Sequence, residues 1–333
     1  MIAVDGAVPA PGVDAAVAWH YGDPLREQRA LVTGAGLVDR SHRDVLTVIG
    51  PDRLPWLHSI CSQHVSDLSD GESTESLVLS PHGHVEQHWQ VTELGDTVWI
   101  DTEPGAAPDV LAYLEKMRFL KRVELADVSA EWAVLSLVGP SSADVLREAG
   151  FPVPELGQAV GLPGGGFVRA TSWPGAGGFD VLVPAGTADE VSASLRLAGA
   201  SPAGIWAFEA LRVEARRPRL GFETDHRTIP HEVGWIGSAV HLNKGCYRGQ
   251  ETVARVQNLG KPPRRLVLVY LGGESDVLPA AGTPIEADGR VVGFLGTAVH
   301  HHEFGPIALG VVKRSITPES KVTILDSPVS IED

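Results

Sequence analysis

The alternation of apolar and polar positions divides the chain into stretches of different character. Residues 44–49 alternate as a short strand, and Gly50-Pro51 then opens a helix whose apolar side is Leu54, Leu57, Ile60 and Cys61. Residues 75–101 read as an antiparallel meander, with strands at 76–79, 85–92 and 97–101 broken at Pro81-His82-Gly83-His84 and Leu94-Gly95-Asp96. A helix follows. Pro108 suits its first turn, Val110, Leu111, Leu114 and Met117 form one stripe, and Lys121-Arg122 close it against the negative end of the helix dipole.

The next stretch repeats this order. An apolar strand at 133–138 runs into Gly139-Pro140-Ser141 and a helix through Ala149, and a hairpin joins 167–172 to 178–183. Thr187-Ala188-Asp189-Glu190 then has the capping-box spacing for a helix that stops at Gly199. Hairpins demand antiparallel pairing, so the pattern predicts two similar α+β units, about 30–125 and 130–200, rather than a doubly wound sheet. Ser201-Pro202 is expected to start another helix with Ile205, Phe208, Leu211 and Ala215 inward, ended by Pro218. Beyond Lys261-Pro262-Pro263 only strands are predicted, at 265–271, 283–287, 290–299, 307–312 and 321–325, with a hairpin turn at Asp288-Gly289. The predicted division is therefore an α+β region at 1–260, its two units completed by 201–260, and a small antiparallel β-barrel at 261–333.

A chain of 333 residues, 43% hydrophobic, buries a large core without disulfide or metal staples, so its two cysteines are not needed as bridges. Residues 1–12 lack a basic start and an apolar h-region, which makes a reducing cytoplasm the expectation. No apolar run approaches the roughly 20 residues of a spanning helix, and no membrane association is expected. A net charge of −15 opposes general affinity for nucleic acid or anionic lipid. Locally the balance reverses: residues 244–265 hold six cations (Lys244, Arg248, Arg255, Lys261, Arg264, Arg265) against Glu251 alone. Such a block either draws an anionic ligand or is a solvated face.

Familiar catalytic motifs are missing. Gly34-Ala35-Gly36 lacks the third glycine and the preceding strand of a dinucleotide loop, and neither a Walker A pattern nor a Gly-x-Ser-x-Gly elbow occurs. His300-His301-His302 cannot all face one ion, because adjacent strand residues point to opposite faces, and a solvated strand end is expected. His82, His84 and His88 share strand parity across a turn that breaks the register, so they are expected to be turn and surface residues.

Lys244-Gly245-Cys246-Tyr247-Arg248-Gly249-Gln250-Glu251 places the last cysteine between cations and glycines. Glycines permit unusual backbone geometry, and Lys244 and Arg248 would favour thiolate at Cys246. A reactive or ligand-forming thiol and an inert buried one both fit those residue types. Cys61, on the apolar side of its helix, reads as core.

Taken whole, the run from Lys244 to Glu251 followed by Thr252-Val253-Ala254-Arg255 resembles the signature of the YgfZ-type folate-binding family, relatives of the glycine-cleavage T-protein, an aminomethyltransferase. The resemblance extends to Gly36-Leu37-Val38-Asp39-Arg40-Ser41, an early turn, to Val48-Ile49-Gly50-Pro51-Asp52, to Glu209-Ala210-Leu211-Arg212-Val213-Glu214 and to Ile229-Pro230-His231-Glu232. It implies two α+β units and a barrel around a channel that binds tetrahydrofolate. Arg212, sharing a helix face with Glu209, is implied as a folate contact. Gly177-Gly178-Phe179-Asp180 resembles the stretch in which the T-protein carries a pterin-binding glutamate, which makes Asp180 the matching acid, one methylene shorter.

At Gly83-His84-Val85-Glu86-Gln87-His88 the T-protein has a glycine-rich turn followed by paired aspartates, and here those carboxylates are replaced. The resemblance therefore implies a cytoplasmic tetrahydrofolate-binding accessory protein that supports assembly or repair of iron–sulfur enzymes, including tRNA-modifying ones, with Cys246 as a functional thiol. Its partners would be iron–sulfur client enzymes or assembly proteins. The alternative is an aminomethyltransferase using Glu86 or Asp180 to handle the folate amine proton. Stable nucleic-acid binding is not expected, since Tyr247 is the only aromatic residue near the basic stretch.

Overall fold

The computed structural model describes residues 4–175, 177–272 and 277–333. A short hairpin of β1 (Val8–Pro9) and β2 (Ala18–His20) leads to α1 (Pro24–Thr33), capped by the Asp23 side chain, and to β3 (Gly36–Asp39). Residues 36–41, expected as a turn, begin instead as this fully buried strand.

The first unit then runs β4 (Asp44–Ile49), α2 (Arg53–Ile60), β5 (Ser73–Leu79), β6 (Val85–Leu94), β7 (Thr97–Thr102), α3 (Ala107–Arg118) and β8 (Glu124–Asp127). The second runs β9 (Trp132–Val138), α4 (Ser142–Glu148), β10 (Ala159–Gly161), β11 (Phe167–Thr171), β12 (Gly178–Pro184), α5 (Ala188–Leu197) and β13 (Ser201–Ala203). Both follow β-α-β-β-β-α-β. Their sheets share one strand order, β5-β6-β7-β4-β8 in the first and β10-β11-β12-β9-β3-β13 in the second, where β3 is inserted between β9 and β13. The repeat expected from the sequence is thus present, with one strand borrowed from upstream.

Period-two alternation gives each sheet two faces. One face lies under its own helices: Val98 and Ile100 pack with Trp56, Leu57 and Val110, and Val181 and Val183 pack with Leu146 and Leu195. The other faces meet each other through Val45, Val134, Phe167 and Leu182, with Trp99 and Trp132 beside them. Farther along the same inner face the residues turn from apolar to charged.

Ser201-Pro202 was expected to begin a helix, but they pair parallel with Gly36 and Leu37, and α6 (Ile205–Glu214) starts only after Gly204. A side chain at 204 would come within 2.1 Å of the Trp19 carbonyl, so the sequence breaks where β2 crosses. α6 is buried over most of its surface. Nor does the capping box at Thr187 form: its hydroxyl donates to the Pro184 carbonyl within a 3-10 turn that precedes α5. A helix with no counterpart in the sequence reading, α7 (Gln250–Leu259), follows the cysteine loop.

The last strands are β14 (Arg264–Leu271), β15 (Pro284–Ala287), β16 (Arg290–His301), β17 (Gly305–Lys313), β18 (Val322–Ile324) and β19 (Ser327–Glu332). They form a closed barrel in the order β14-β17-β16-β15-β18-β19, filled by residues such as Val267, Ile285, Leu295 and Val312. β19 pairs with β14 to close it, which removes the open edges that five strands would have left.

Candidate ligand-binding cleft

The charged part of the inner faces is built on two aspartates, one from each repeat. Asp101 on β7 lies opposite Val45 and Gln90, and Asp180 on β12 lies opposite Ser136 and Arg169. They belong to corresponding strands of the two repeats but to different registers, Asp101 near the end of β7 and Asp180 near the start of β12. One guanidinium, Arg169, bridges them, with Nη1 2.5 Å from Asp101 and Nη2 2.7 Å from Asp180. Arg43 flanks Asp101 at 2.8 Å, while Ser136 donates to Asp180 at 2.6 Å and Arg40 stands 3.5 Å from it. Burial pushes Asp101 up, but Arg169 and Arg43 overcome it and hold the carboxyl well below its usual range.

A second layer comes from outside the sheets. Arg219 donates both terminal nitrogens to Asp14 at 2.9 and 2.6 Å and its Nε to Glu103 at 2.7 Å. On α6, Arg212 has every N–H engaged: by Glu209, Glu223, the Arg217 carbonyl and Thr297 of the barrel strand β16. Burial alone would lower its pKa, and the two glutamates raise it above the ordinary arginine value. Between these layers opens a cleft walled by Arg40, His42, Trp173, Phe208 and the acids Glu103, Asp180 and Glu209. Arg40 is the least committed guanidinium. It lies 4.3 Å over the Phe208 ring, its only side-chain hydrogen bond among the described residues goes from Nη1 to Ser136, and burial, reinforced by Arg43, brings its pKa down to about 10.

The structure brings Asp180, Arg212 and Glu209 together on this wall. It also spends them: each is held by internal ion pairs, so Arg212 has no N–H left for a ligand. Glu86 lies elsewhere, on the surface, paired with Arg248 at 3.0 Å. His88 is not a surface residue as expected. It is buried on β6, 3.1 Å from Glu75 and stacked on Trp235, beyond the Gly83 turn. Sequence reasoning missed Arg169, Asp101, Arg219, Asp14 and His42. Of these only Asp101 carried a sequence signal, as the last residue of the third strand expected in the meander.

The cysteine loop lies apart from this wall. Lys244 does not serve the Cys246 thiolate as expected: its buried ammonium donates to the carbonyls of His58, Cys61 and Gln63, compensating the C-terminal end of α2. Arg248 is engaged with Glu86 and sits 5.7 Å from the Tyr113 ring. The glycine at 249 has a structural task. With φ +82 it starts α7 against the β5–β6 turn, where a side chain would lie 2.6 Å from the Ser80 carbonyl and 2.8 Å from Gly83 Cα. Cys246 is left exposed, whereas Cys61 is buried and burial pushes its thiol up despite nearby Lys244. Iodoacetamide on the native protein is accordingly expected to label Cys246 and spare Cys61, read by peptide mass spectrometry. Preferential labelling of Cys61 would contradict this packing.

Four of the six cations of the basic stretch are thus internally engaged, since Arg264 pairs with Asp225 and Glu232 and Arg265 with Asp333. That leaves little of the block for an anionic ligand. The histidine run is not a solvated strand end either: the His301 side chain is fully buried, 3.3 Å from Glu214. Among the described residues no cluster of three or more His, Cys, Asp or Glu side chains could hold a metal ion, and no helix is long and apolar enough to cross a membrane.

Two repeated α+β units with a closed barrel, and a charged cleft between their inner faces, define a class of aminomethyltransferase-type folds. Over residues 5–244 the chain matches the GCVT N-terminal domain, and it belongs to that family. The aminomethyltransferase T of the Bartonella henselae glycine cleavage system has the same fold, with a TM-score of 0.87 at 22% identity over 98% of this chain and 93% of that one. An aminomethyltransferase of Herpetosiphon aurantiacus is 28% identical over 93% of this chain and 88% of its own. Another, from Chromobacterium violaceum, is 30% identical over 76% of this chain and 72% of its own.

Proposed function

We propose that the protein binds a reduced folate in the cleft between its two sheets. The observation that carries this reading is the wall itself, where the Phe208 ring lies under a buried guanidinium, Arg40, whose donors are only partly used, and the Trp173 ring lines the same cleft. Flat heteroaromatic ligands with polar edges suit such a surface. Titration with tetrahydrofolate under anaerobic conditions, followed by calorimetry, is expected to give saturable binding. Arg40→Met should weaken it by about 1.5–3 kcal/mol, the worth of a hydrogen bond from a charged donor. Absence of binding by the wild type would remove the folate reading.

Two roles for the bound folate have support. The relatives named aminomethyltransferase favour transfer of an aminomethyl-derived carbon to it. The accessory role in iron–sulfur enzyme assembly or repair, with client enzymes as partners and membership of the YgfZ-type branch, is supported by the cysteine motif, its exposed Cys246 and a wall whose acids are all ion-paired with arginines or histidine. An aminomethyl-lipoyl carrier assay separates them. Turnover of about 1 per second or more assigns transfer. Folate binding without turnover, together with failure of Cys246→Ser to restore iron–sulfur enzyme activity in a strain lacking the protein, assigns the accessory role.

A further inference from the structure

Among the described residues that line the cleft, one buried side-chain nitrogen or oxygen has no hydrogen-bond partner, and it is Nδ1 of His42. The side chain is 3% exposed, and its other nitrogen, Nε2, lies 2.9 Å from Asp14 Oδ1. Asp14 in turn receives both terminal nitrogens of Arg219. Burial pushes the Asp14 carboxyl up, yet its hydrogen bonds to Arg219 and His42 hold it well below its usual range, so it is ionised and can only accept. Nε2 must then be the protonated nitrogen, as assigned from this network, and a neutral ring leaves its lone pair on Nδ1.

A buried acceptor without a donor is costly. Arg219 and Arg212 have none to spare, because Arg219 is shared between Asp14 and Glu103 and the N–H groups of Arg212 are all taken, and no hydrogen bond reaches Nδ1 from Arg40 or Arg43. We infer that His42 Nδ1 is the cleft's acceptor for an N–H group of the bound ligand, with Asp14 and Arg219 fixing its tautomer. The inference rests on the folate reading, and a reduced pterin, rich in ring and exocyclic N–H groups, is the ligand class it names. His42 thereby contributes an acceptor on a wall whose other acids are committed to arginine.

The test uses full-length protein labelled with 15N-histidine. In the free protein the His42 signals are expected to show the Nε2–H tautomer, and saturating tetrahydrofolate should move the Nδ1 resonance upfield as it accepts a hydrogen bond. His42→Gln, which can keep a donor toward Asp14 but offers no acceptor at the Nδ1 position, should bind tetrahydrofolate about tenfold more weakly, with its melting temperature unchanged. If that variant melts low, the wild-type resonance shift decides alone. An Nδ1–H tautomer in the free protein overturns the inference. So does wild-type binding that leaves Nδ1 unmoved or is matched by a stable His42→Gln, and in that outcome the folate reading survives. Wild-type protein that binds no tetrahydrofolate overturns both.

Discussion

Arg212→Ala is expected to cost about 3–5 kcal/mol of folding stability, the usual penalty for removing one partner of a buried ionic group. The arginine is fully buried and joins three separate parts of the chain: Glu209 on its own helix, Glu223 in the following loop and Thr297 on barrel strand β16. Its loss strands two buried carboxylates, Glu209 at 4% and Glu223 at 0% exposure, with no other cation to replace it fully. Arg219 lies 3.8 Å from Glu209 and can compensate that acid only in part. Urea unfolding monitored by circular dichroism measures the loss. Because every N–H of Arg212 is already engaged, the folded variant should bind tetrahydrofolate with little change. A variant that unfolds like wild type but fails to bind would return Arg212 to the role of ligand contact that its place in the sequence suggested.

Arg169→Met is expected to be similarly damaging, by about 3–5 kcal/mol near neutral pH, for a different reason. Arg169 neutralises Asp101 and Asp180 from opposite repeats, and without it the two inner faces would meet through carboxylates supported only by Arg43, Arg40 and Ser136. The pH dependence has a definite sign. In the wild type the folded-state pKa of Asp101 is depressed, so its contribution is present above the unfolded value of about 4 and is lost as pH falls toward the folded one. Removing Arg169 raises that folded pKa. The stability gap between variant and wild type should therefore be widest at neutral and alkaline pH and narrow as acidification protonates the orphaned acids. Denaturant unfolding at a series of pH values tests this, and a gap that widens on acidification would show that Arg169 acts through packing alone. Adding Asp101→Asn and Asp180→Asn should recover much of the loss, since the like charges that needed Arg169 are gone.

Much of the fold was legible because its signals are local. The meander at 75–101, the strands flanking Gly50-Pro51 and Gly139-Pro140, and the barrel beyond Pro262-Pro263 each carry period and turn residues within a few positions. Misreadings occurred where distant chain segments decided the outcome. Ser201 and Pro202 extend because β3 offers them an edge, and α7 forms on two buried valines, Val253 and Val256, that rest on other parts of the structure. The cleft was partly visible through Asp180, Glu209 and Arg212, but their partners come from far along the chain, as when Asp14 meets Arg219.

The cysteine motif shows the same limit from the other side. Its residue types pointed to a thiol activated by Lys244 and Arg248, whereas the fold turns Lys244 toward helix carbonyls and Arg248 toward Glu86. Charge is countable along a chain, but the partner of a charge is set by three-dimensional proximity.

What the sequence by itself determined is two units that each run strand, helix, antiparallel strands and helix, followed by a segment of strands alone, because propensity and alternation act between near neighbours. Only the tertiary structure decided that the two inner faces meet, that Arg169 lies between Asp101 and Asp180, and that His42 keeps one nitrogen unpartnered. The physical reason is that buried charges and donors are satisfied by whatever group the packing brings within about 3 Å, and that distance is a property of the assembled sheets rather than of any single segment.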